Sequence, residues 1–242
     1  HSIATSADAK TVVAGNHAGD VFIWQNNRLT ATLKAESVAK PQGNVSFVKD
    51  VLPILSKAGC NAGACHAKSG GQHGFQLSVF AYDTRNDWRE IVADAYGRRV
   101  FPSFPAESLI LKKATLALPH EGGQRIKPGS ESERVLQQWI RDGMAYQHEG
   151  EPVLVRVAVE PATRAYRLRQ TQLLKVTAHF SDESKRDVTA LAKFVSNDTE
   201  MAEATGTGLI KTLDLAGEVA IMARYQGQVS TYRATIPLGA DV

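Results

Sequence analysis

The spacing of apolar residues changes twice along the 242 residues of this chain. Residues 1–34 alternate apolar and polar side chains, as short strands do, whereas residues 45–149 place apolar side chains three and four positions apart, as helices do. From Pro152 onward the strand-like alternation returns. One uniform architecture cannot satisfy both patterns. We therefore expect a multidomain α plus β protein, in which a small, mostly helical domain precedes an all-β domain.

Composition and charge exclude several classes of protein. Hydrophobic residues make up 43% and charged residues 22% of the sequence, which is typical of globular proteins. The sequence has no run of about 18 apolar residues, so we expect no transmembrane segment. The net charge is only +3 and the basic residues form no block, which argues against nucleic-acid binding. Residues 1–4 do not begin a signal peptide, so any export signal has been removed or lies upstream.

The first segment, residues 1–34, contains two apolar runs separated by turn residues. Residues 11–14 and 20–24 predict strands, and residues 15–19 predict the turn between them. The segment resembles one blade of a WD-repeat propeller. A single blade cannot close a propeller, because each repeat buries its apolar face on its neighbours. Either the chain is a fragment of a longer polypeptide whose propeller precedes it, or these strands pack on the next domain, and we favour the fragment. A polar linker is expected at residues 35–44.

Residues 45–149 contain helix starts with recognisable capping residues. Ser46, Asp87 and Ser130 each precede an apolar pattern with helical spacing. A further short helix is predicted within residues 105–113. The predicted domain therefore consists of short helices joined by long loops.

Residues 150–242 predict about seven short strands separated by polar turns, which favours an immunoglobulin-like sandwich. The stretch from Phe180 to Thr189 resembles the signature of the bacterial immunoglobulin-like family. Other matching landmarks are Val159-Glu160-Pro161, Val195-Ser196-Asn197-Asp198, Gly208-Leu209-Ile210 and Tyr225-Gln226-Gly227. Domains of this family are spacers or adhesion modules, so we assign this one no chemistry.

The sequence has two cysteines, and they lie together with a histidine. Cys60, Cys65 and His66 form a variant of the C-x-x-C-H signature of c-type haem attachment, with four residues between the cysteines instead of two. In that signature two thiols bind the haem covalently and the imidazole binds its iron. Two other interpretations fit the same residues. The cysteines form a disulfide, or they bind zinc together with two of His66, His73 and His120. The spacing alone leaves all three interpretations open.

A family resemblance over residues 45–145 favours haem. The order of motifs is similar to that of planctomycete-type cytochrome c domains, some of which carry the longer loop between the cysteines. The matching motifs after the cysteine cluster are Gly70-Gly71 and residues 75–83, 97–100, 105–112, 119–123 and 139–143. The resemblance implies one covalent haem c on Cys60 and Cys65, with His66 as the proximal iron ligand. It also implies an extracytoplasmic protein, in the periplasm or at the cell surface.

His120 is the expected second axial ligand. Pro119 fixes the backbone before it, Gly122-Gly123 allow a sharp turn after it, and the loop resembles the segment that delivers the distal ligand in related cytochromes. The alternative distal ligands are His73, Met144 and His148. His120 would then make only a hydrogen bond within its loop. Two histidine ligands leave the iron no open position, so we expect electron transfer with a redox partner protein rather than enzymatic catalysis. An open sixth position would favour peroxidase or ligand-sensing chemistry.

Two further groups of residues are candidates for contact with the haem. Candidates for pairing with its propionates are Arg98, Arg99, Arg125 and Lys127. Candidates for the wall of its pocket are Phe75, Phe80, Trp88 and Trp139. If these residues do not contact a haem, the arginines and the lysine are solvated surface charges and the aromatic residues are ordinary core residues. The alternative function, from a different class, is a zinc-stabilised surface or adhesion protein without redox activity.

Overall fold

The computed structural model describes residues 2–5, 10–15, 21–26, 28–33, 45–67 and 69–238. The chain divides into two compact units, His1–Asn44 and Val45–Val242. The predicted linker at residues 35–44 and most of the predicted turn at residues 15–19 lie outside the described residues. In the part of the chain that is described, no helix is both long enough and apolar enough to cross a membrane.

The first unit contains an antiparallel sheet of four strands in sequential order. The strands are β1 (Ser2–Thr5), β2 (Thr11–Gly15), β3 (Val21–Gln25) and β4 (Arg28–Leu33). The two strands expected from the sequence correspond to β2 and β3, which pair with Val13 opposite Ile23. A four-stranded meander is also the arrangement of one propeller blade. The WD-repeat resemblance itself stays a prediction.

Residues 45–149 contain short helices joined by turns and loops. The α-helices are α1 (Leu52–Ala58), α2 (Thr84–Val92), α3 (Leu109–Ala114) and α4 (Glu131–Arg141). A π-helical turn at Phe47–Val51 leads into α1, and 3-10 turns occupy Val79–Ala81, Asp94–Gly97 and Pro105–Glu107. Even with these turns included, fewer than half of the residues in this segment are helical.

Polar side chains cap the starts of these helices by accepting hydrogen bonds from free backbone N–H groups. Ser46 and Ser130 each accept a hydrogen bond from the amide three positions further on, at 3.3 Å and 3.4 Å, which confirms both predicted caps. The prediction that Asp87 caps the second helix is wrong. Asp83 caps α2 instead, by accepting from the amide three positions further on at 3.0 Å, and Asp87 lies in the first turn.

The expected fold class, a mostly helical domain followed by an immunoglobulin-like sandwich, is wrong for this chain. The four α-helices have only 7, 9, 6 and 11 residues. Glycines with left-handed backbone angles interrupt residues 45–149 repeatedly, as at Gly59, Gly70 and Gly74, and they favour turns over longer helices. Strands account for most of the regular structure, so the chain is mainly a β protein with a few short helices.

Residues 154–236 form strands in three hydrogen-bonded sheets, rather than the two sheets of a sandwich. The strands are β5 (Leu154–Glu160), β6 (Thr163–Ala165), β7 (Thr171–Leu173), β8 (Lys175–Phe180), β9 (Lys185–Asp187), β10 (Lys193–Ser196), β11 (Ala202–Ala204), β12 (Leu209–Thr212), β13 (Gly217–Tyr225) and β14 (Gln228–Ile236). The sheet orders are β10-β13-β14-β6, β11-β12-β7 and β5-β8-β9. The apolar run at residues 173–180 is divided at Leu174, whose amide bonds the Gly208 carbonyl at 2.9 Å. As a result β7 and β8 join different sheets.

Two hydrophobic cores lie within the second unit. One is formed by the C-terminal strands and includes Val176 and Ile221, which have no exposed surface. The other is formed by the helical segment and includes Phe47, Leu136 and Trp139, which are equally buried. Each part of this unit therefore has apolar packing of its own.

The C-terminal strands contact the helical segment near the end of α1. The Lys57 ammonium group donates hydrogen bonds to the backbone carbonyls of Ala190 and Gly206. The Arg224 guanidinium, on β13, lies 4.0 Å from the centroid of the Phe80 ring. These contacts place the end of α1 and the Phe80 ring next to the C-terminal strands.

Candidate functional site

The cysteine loop begins where α1 ends. Gly59 has a left-handed backbone (φ 79°), and its amide bonds the carbonyls of the last helical turn. The loop then turns back on itself, because the Cys65 amide bonds the Ala62 carbonyl at 2.9 Å and the His66 amide bonds the Cys60 carbonyl at 3.0 Å. The four residues between the cysteines therefore form a compact turn. Both thiols and the imidazole lie on one short, internally bonded loop.

Both cysteines are free thiols, so the structure gives no support to the disulfide interpretation. Burial raises the pKa of the Cys60 thiol to about 11, with a smaller contribution in the same direction from Cys65. The positive charges of Arg125 and Lys193 act in the opposite direction. The Arg125 guanidinium lies 3.7 Å from the Cys65 sulfur. Cys60 is therefore a protonated thiol at neutral pH, beside two cations.

The His66 ring is held by the segment that follows the cysteine loop. Its Nδ1 donates a hydrogen bond to the Phe75 carbonyl at 3.1 Å, and the two rings pack with centroids 4.5 Å apart. The Leu77 amide bonds the His66 carbonyl at 2.8 Å. Burial lowers the pKa of the His66 imidazole, although the hydrogen bond to Phe75 opposes this effect. Since a carbonyl can only accept, Nδ1 carries the proton and Nε2 of the neutral ring has a free lone pair.

The His120 ring is fixed in the same way by its own loop. Its Nδ1 donates to the Gly123 carbonyl at 2.9 Å, which again leaves the Nε2 lone pair free. Gly122 lies directly beside the ring, since a Cβ atom at this position would be only 2.9 Å from Cε1 of His120. A side chain at position 122 would therefore displace the imidazole. Gly122 and Gly123, which were expected to allow a sharp turn, also fix the position of the His120 ring. Gly122 does so by its close approach, and Gly123 does so through its carbonyl.

The rings of His66 and His120, which are 54 positions apart in sequence, lie near each other and nearly parallel. The centroids of His66 and His120 are 6.2 Å apart, and the ring planes are inclined by 11°. A metal–nitrogen bond of about 2 Å and an imidazole radius of about 1.1 Å place two axial imidazoles of one metal about 6 Å apart. The observed separation matches that requirement. With two free thiols on the His66 loop, these residues fit a covalently bound haem.

The other candidate iron ligands have different surroundings. His73 is exposed and has a left-handed backbone (φ 52°). His148 is engaged elsewhere, since its Nε2 lies 3.2 Å from the Val45 carbonyl. Met144 packs against the core of the helical segment, and its carbonyl accepts a hydrogen bond from the Trp88 indole at 2.8 Å. Of the described histidines, His120 is the one whose ring lies nearly parallel to that of His66, with centroids 6.2 Å apart.

A zinc site would need a different arrangement. Structural zinc sites use four nitrogen, sulfur or oxygen ligands in a tetrahedron. Among the residues that the structure describes, no three His, Cys, Asp or Glu side chains are grouped so that they could hold a metal ion. The ligand set proposed for zinc, Cys60 and Cys65 with two histidines, is therefore not assembled.

The arginine and lysine candidates for propionate contacts lie in contrasting places. Arg98 and Lys127 are exposed, and Arg125 lies beside Cys65. Arg99 is buried, with 6% of its surface exposed, and its guanidinium donates to the Glu90 carbonyl at 2.5 Å and to other backbone oxygens. Its hydrogen-bonding capacity is thus used within the protein.

Among the aromatic candidates, Phe75 is the one that packs on His66. Trp139 is a core residue with no exposed surface, and its indole N–H donates to the Ala145 carbonyl at 3.0 Å. Trp88 packs edge-on against Tyr146 with ring centroids 6.1 Å apart.

Several contributors to the site were not predicted from the sequence. The carbonyls of Phe75 and Gly123 orient the two imidazoles, and backbone atoms leave no signal of such a role in the sequence. Lys193 of β10 also lies at the site, since its Nζ is 3.3 Å from where a Cβ of Gly59 would be. No sequence motif connects residues so far apart. The C-terminal strands, to which we assigned no chemistry, therefore border the cysteine loop.

Comparisons with known proteins identify no family for this chain, since no family model and no curated protein matches it. A structure of surface layer protein SbsC, domains 1–6, is similar at 20% sequence identity with a TM-score of 0.32. A crystal structure of the S-layer protein rSbsC(31–844) is similar at 21% identity with the same TM-score of 0.32. Each match covers 38% of this chain and only 14% of the other. A likeness this weak carries no functional argument.

Proposed function

We propose that the chain binds one haem c and transfers electrons. Cys60 and Cys65 would hold the haem covalently, and His66 and His120 would be the axial ligands of its iron. The observation that carries this proposal is the pair of nearly parallel imidazoles, 6.2 Å apart, with both Nδ1 atoms bonded to backbone carbonyls. The resemblance of residues 45–145 to planctomycete-type cytochrome c domains supports the same assignment.

The residues of the site would anchor and orient the cofactor. Addition of a thiol to a vinyl group forms a carbon–sulfur bond and transfers the thiol hydrogen to carbon, so Cys60 and Cys65 need no oxidant for this step. The carbonyls of Phe75 and Gly123 keep the protons of His66 and His120 on Nδ1, so both Nε2 atoms stay available to a metal. When bound, the haem would supply the reversible one-electron chemistry of its iron.

Two histidine ligands favour electron transfer over catalysis. If His66 and His120 both bind the iron, they would leave it no open position for peroxide or another small ligand. A bis-histidine site also has a lower reduction potential than a histidine–methionine site, because a methionine ligand raises the potential. We therefore propose an electron carrier that works with a redox partner protein. Because c-type haem is attached outside the cytoplasm, the proposal includes an extracytoplasmic location.

Optical spectroscopy of the full chain, produced with a c-type haem maturation system, tests this proposal. We expect a Soret band and the spectrum of a six-coordinate low-spin haem. Replacing His120 by alanine should abolish the low-spin spectrum, whereas His73→Ala serves as a matched control and should leave it unchanged. An unchanged spectrum in His120→Ala, or its loss in His73→Ala, would contradict the ligand assignment. A wild-type chain without a Soret band would contradict the function, and stoichiometric zinc in that chain would support the zinc alternative.

A further inference from the structure

Arg99 is a buried cation whose guanidinium joins two separate segments of the chain. Nη1 donates to the carbonyls of Glu90 (2.5 Å) and Asp94 (3.2 Å), at the end of α2 and just beyond it. Nη2 donates to the Gly74 carbonyl at 3.0 Å. One carboxylate oxygen of Asp94 lies 3.3 Å from Nη1. A planar guanidinium can bridge these acceptors at fixed angles, which the single ammonium of a lysine cannot do.

The same guanidinium also covers the residue that orients His66. It lies 4.6 Å from the centroid of the Phe75 ring, and the His66 imidazole packs on the same ring with centroids 4.5 Å apart. Arg99 donates a hydrogen bond to the carbonyl of Gly74, the residue directly before Phe75. The Phe75 carbonyl in turn accepts the hydrogen bond from Nδ1 of His66. Arg99, Phe75 and His66 therefore pack in series, with Phe75 between the other two.

We propose that Arg99 is a positioning residue for His66. By fixing Gly74 and Phe75, it keeps the Phe75 carbonyl in place as the acceptor of the Nδ1 proton. The imidazole then adopts one orientation and one tautomer, with Nε2 free for a metal. This inference extends the proposed haem function, but the effect on the tautomer does not depend on haem. Arg99 would thus serve the site as an internal clamp rather than as a propionate partner.

Three variants of the full chain distinguish the effect of the bridging hydrogen bonds of Arg99 from the effect of its positive charge. Arg99→Met removes the charge and all the hydrogen bonds, whereas Arg99→Lys keeps the charge but cannot bridge the carbonyls of both segments. The matched control is Arg89→Met, because Arg89 is an exposed arginine on α2 and has no assigned role at the site.

The first measurement is the tautomer of His66 in the full chain produced without haem, read from the nitrogen chemical shifts of its imidazole. We expect a single Nδ1–H tautomer in the wild type and in Arg89→Met. In Arg99→Met the ratio of the Nδ1–H to the Nε2–H tautomer of His66 should fall about fivefold. This is the equilibrium effect of losing the one hydrogen bond from Nδ1 to the Phe75 carbonyl. Arg99→Lys should lie in between. If Arg99→Met fails to fold, a wild-type tautomer ratio in Arg99→Lys refutes the clamp.

The second measurement is the ferric electron paramagnetic resonance spectrum of the haem-loaded chain, which depends on the angle between the two axial ring planes. Arg99→Met should broaden and move the low-spin signal, and Arg89→Met should not. A wild-type signal in Arg99→Met together with a wild-type tautomer ratio would overturn the inference. Absence of haem from the wild-type chain would instead contradict the proposed function, and the tautomer measurement would still decide the role of Arg99.

Discussion

Asp87 is a buried carboxyl group whose ionisation should set part of the pH dependence of stability. Only 1% of its surface is exposed, and it accepts hydrogen bonds from the Ser78 amide at 2.5 Å and the Ser78 hydroxyl at 2.8 Å. Burial raises the pKa of Asp87 from its ordinary 3.8 to about 6, and the two hydrogen bonds from Ser78 oppose this rise only in part. The negative charges of Asp83 and Glu90 raise it further.

The sign of the effect follows from proton binding. Between about pH 4 and pH 6 the folded chain holds a proton on Asp87 that the unfolded chain has lost, so lowering the pH favours folding. Above about pH 6 the buried carboxylate destabilises the fold in full, and below about pH 4 this penalty is gone. The difference between the folded and unfolded pKa corresponds to about 3 kcal/mol.

Asp87→Asn removes this titration and keeps the size of the side chain. We therefore expect the free energy of unfolding of Asp87→Asn, relative to wild type, to be about 3 kcal/mol greater at pH 7 than at pH 4. Urea unfolding followed by tryptophan fluorescence across this range measures the difference. Glu203→Gln is the control, because Glu203 is an exposed carboxylate on β11 and is not among the groups that perturb the pKa of Asp87. Parallel stability curves for wild type and Asp87→Asn would refute the reasoning.

Three further predictions concern the site and the two cores. Gly122→Ala should displace the His120 ring and weaken the low-spin haem spectrum, while Gly63→Ala, whose Cβ would meet nothing within 4 Å, should not; equal spectra would contradict the contact. Trp139→Ala should lower the free energy of unfolding by about 3–5 kcal/mol, measured in urea, because the side chain is fully buried. Lys57→Met should lower the free energy of unfolding by about 1–2 kcal/mol, because two carbonyls in the C-terminal part lose their hydrogen-bond donor. An unchanged free energy of unfolding would show that these hydrogen bonds contribute nothing to stability.

Local signals predicted the helix starts well wherever one capping residue was available. Ser130 was followed by a clear helical pattern, and α4 begins directly after it. Asp83 and Asp87 both had suitable chemistry for the next helix, and the choice between them depends on Ser78, nine positions before Asp87, which bonds its carboxylate. Such a tertiary contact has no signature in a local pattern.

The proportion of helix could not be predicted for a related reason. Apolar spacing identified where helices occur, but left-handed glycines such as Gly59 and Gly97 end or interrupt the helical segments. The division of one predicted strand at Leu174 similarly depends on a hydrogen bond to Gly208. Long-range pairing decides both features.

The candidate site was predictable in part. Cys60, Cys65 and His66 lie within seven residues of sequence, so they are close together whatever the tertiary structure. His120 was chosen from its loop and from a family resemblance, and its position opposite His66 depends on the loops around α3 and α4. The hydrogen bond from His66 to the Phe75 carbonyl, and the role that we propose for Arg99, could be recognised only from contacts with backbone carbonyls.

Covalent attachment of haem is the central claim, and the intact mass of the full chain tests it most directly. The chain should be produced with a haem maturation system and unfolded before mass spectrometry, so that only covalently bound haem is counted. We predict the mass of the chain plus one haem for wild type, and the mass of the chain alone when Cys60 and Cys65 are both replaced by alanine. A wild-type chain without the added mass of haem would contradict the account.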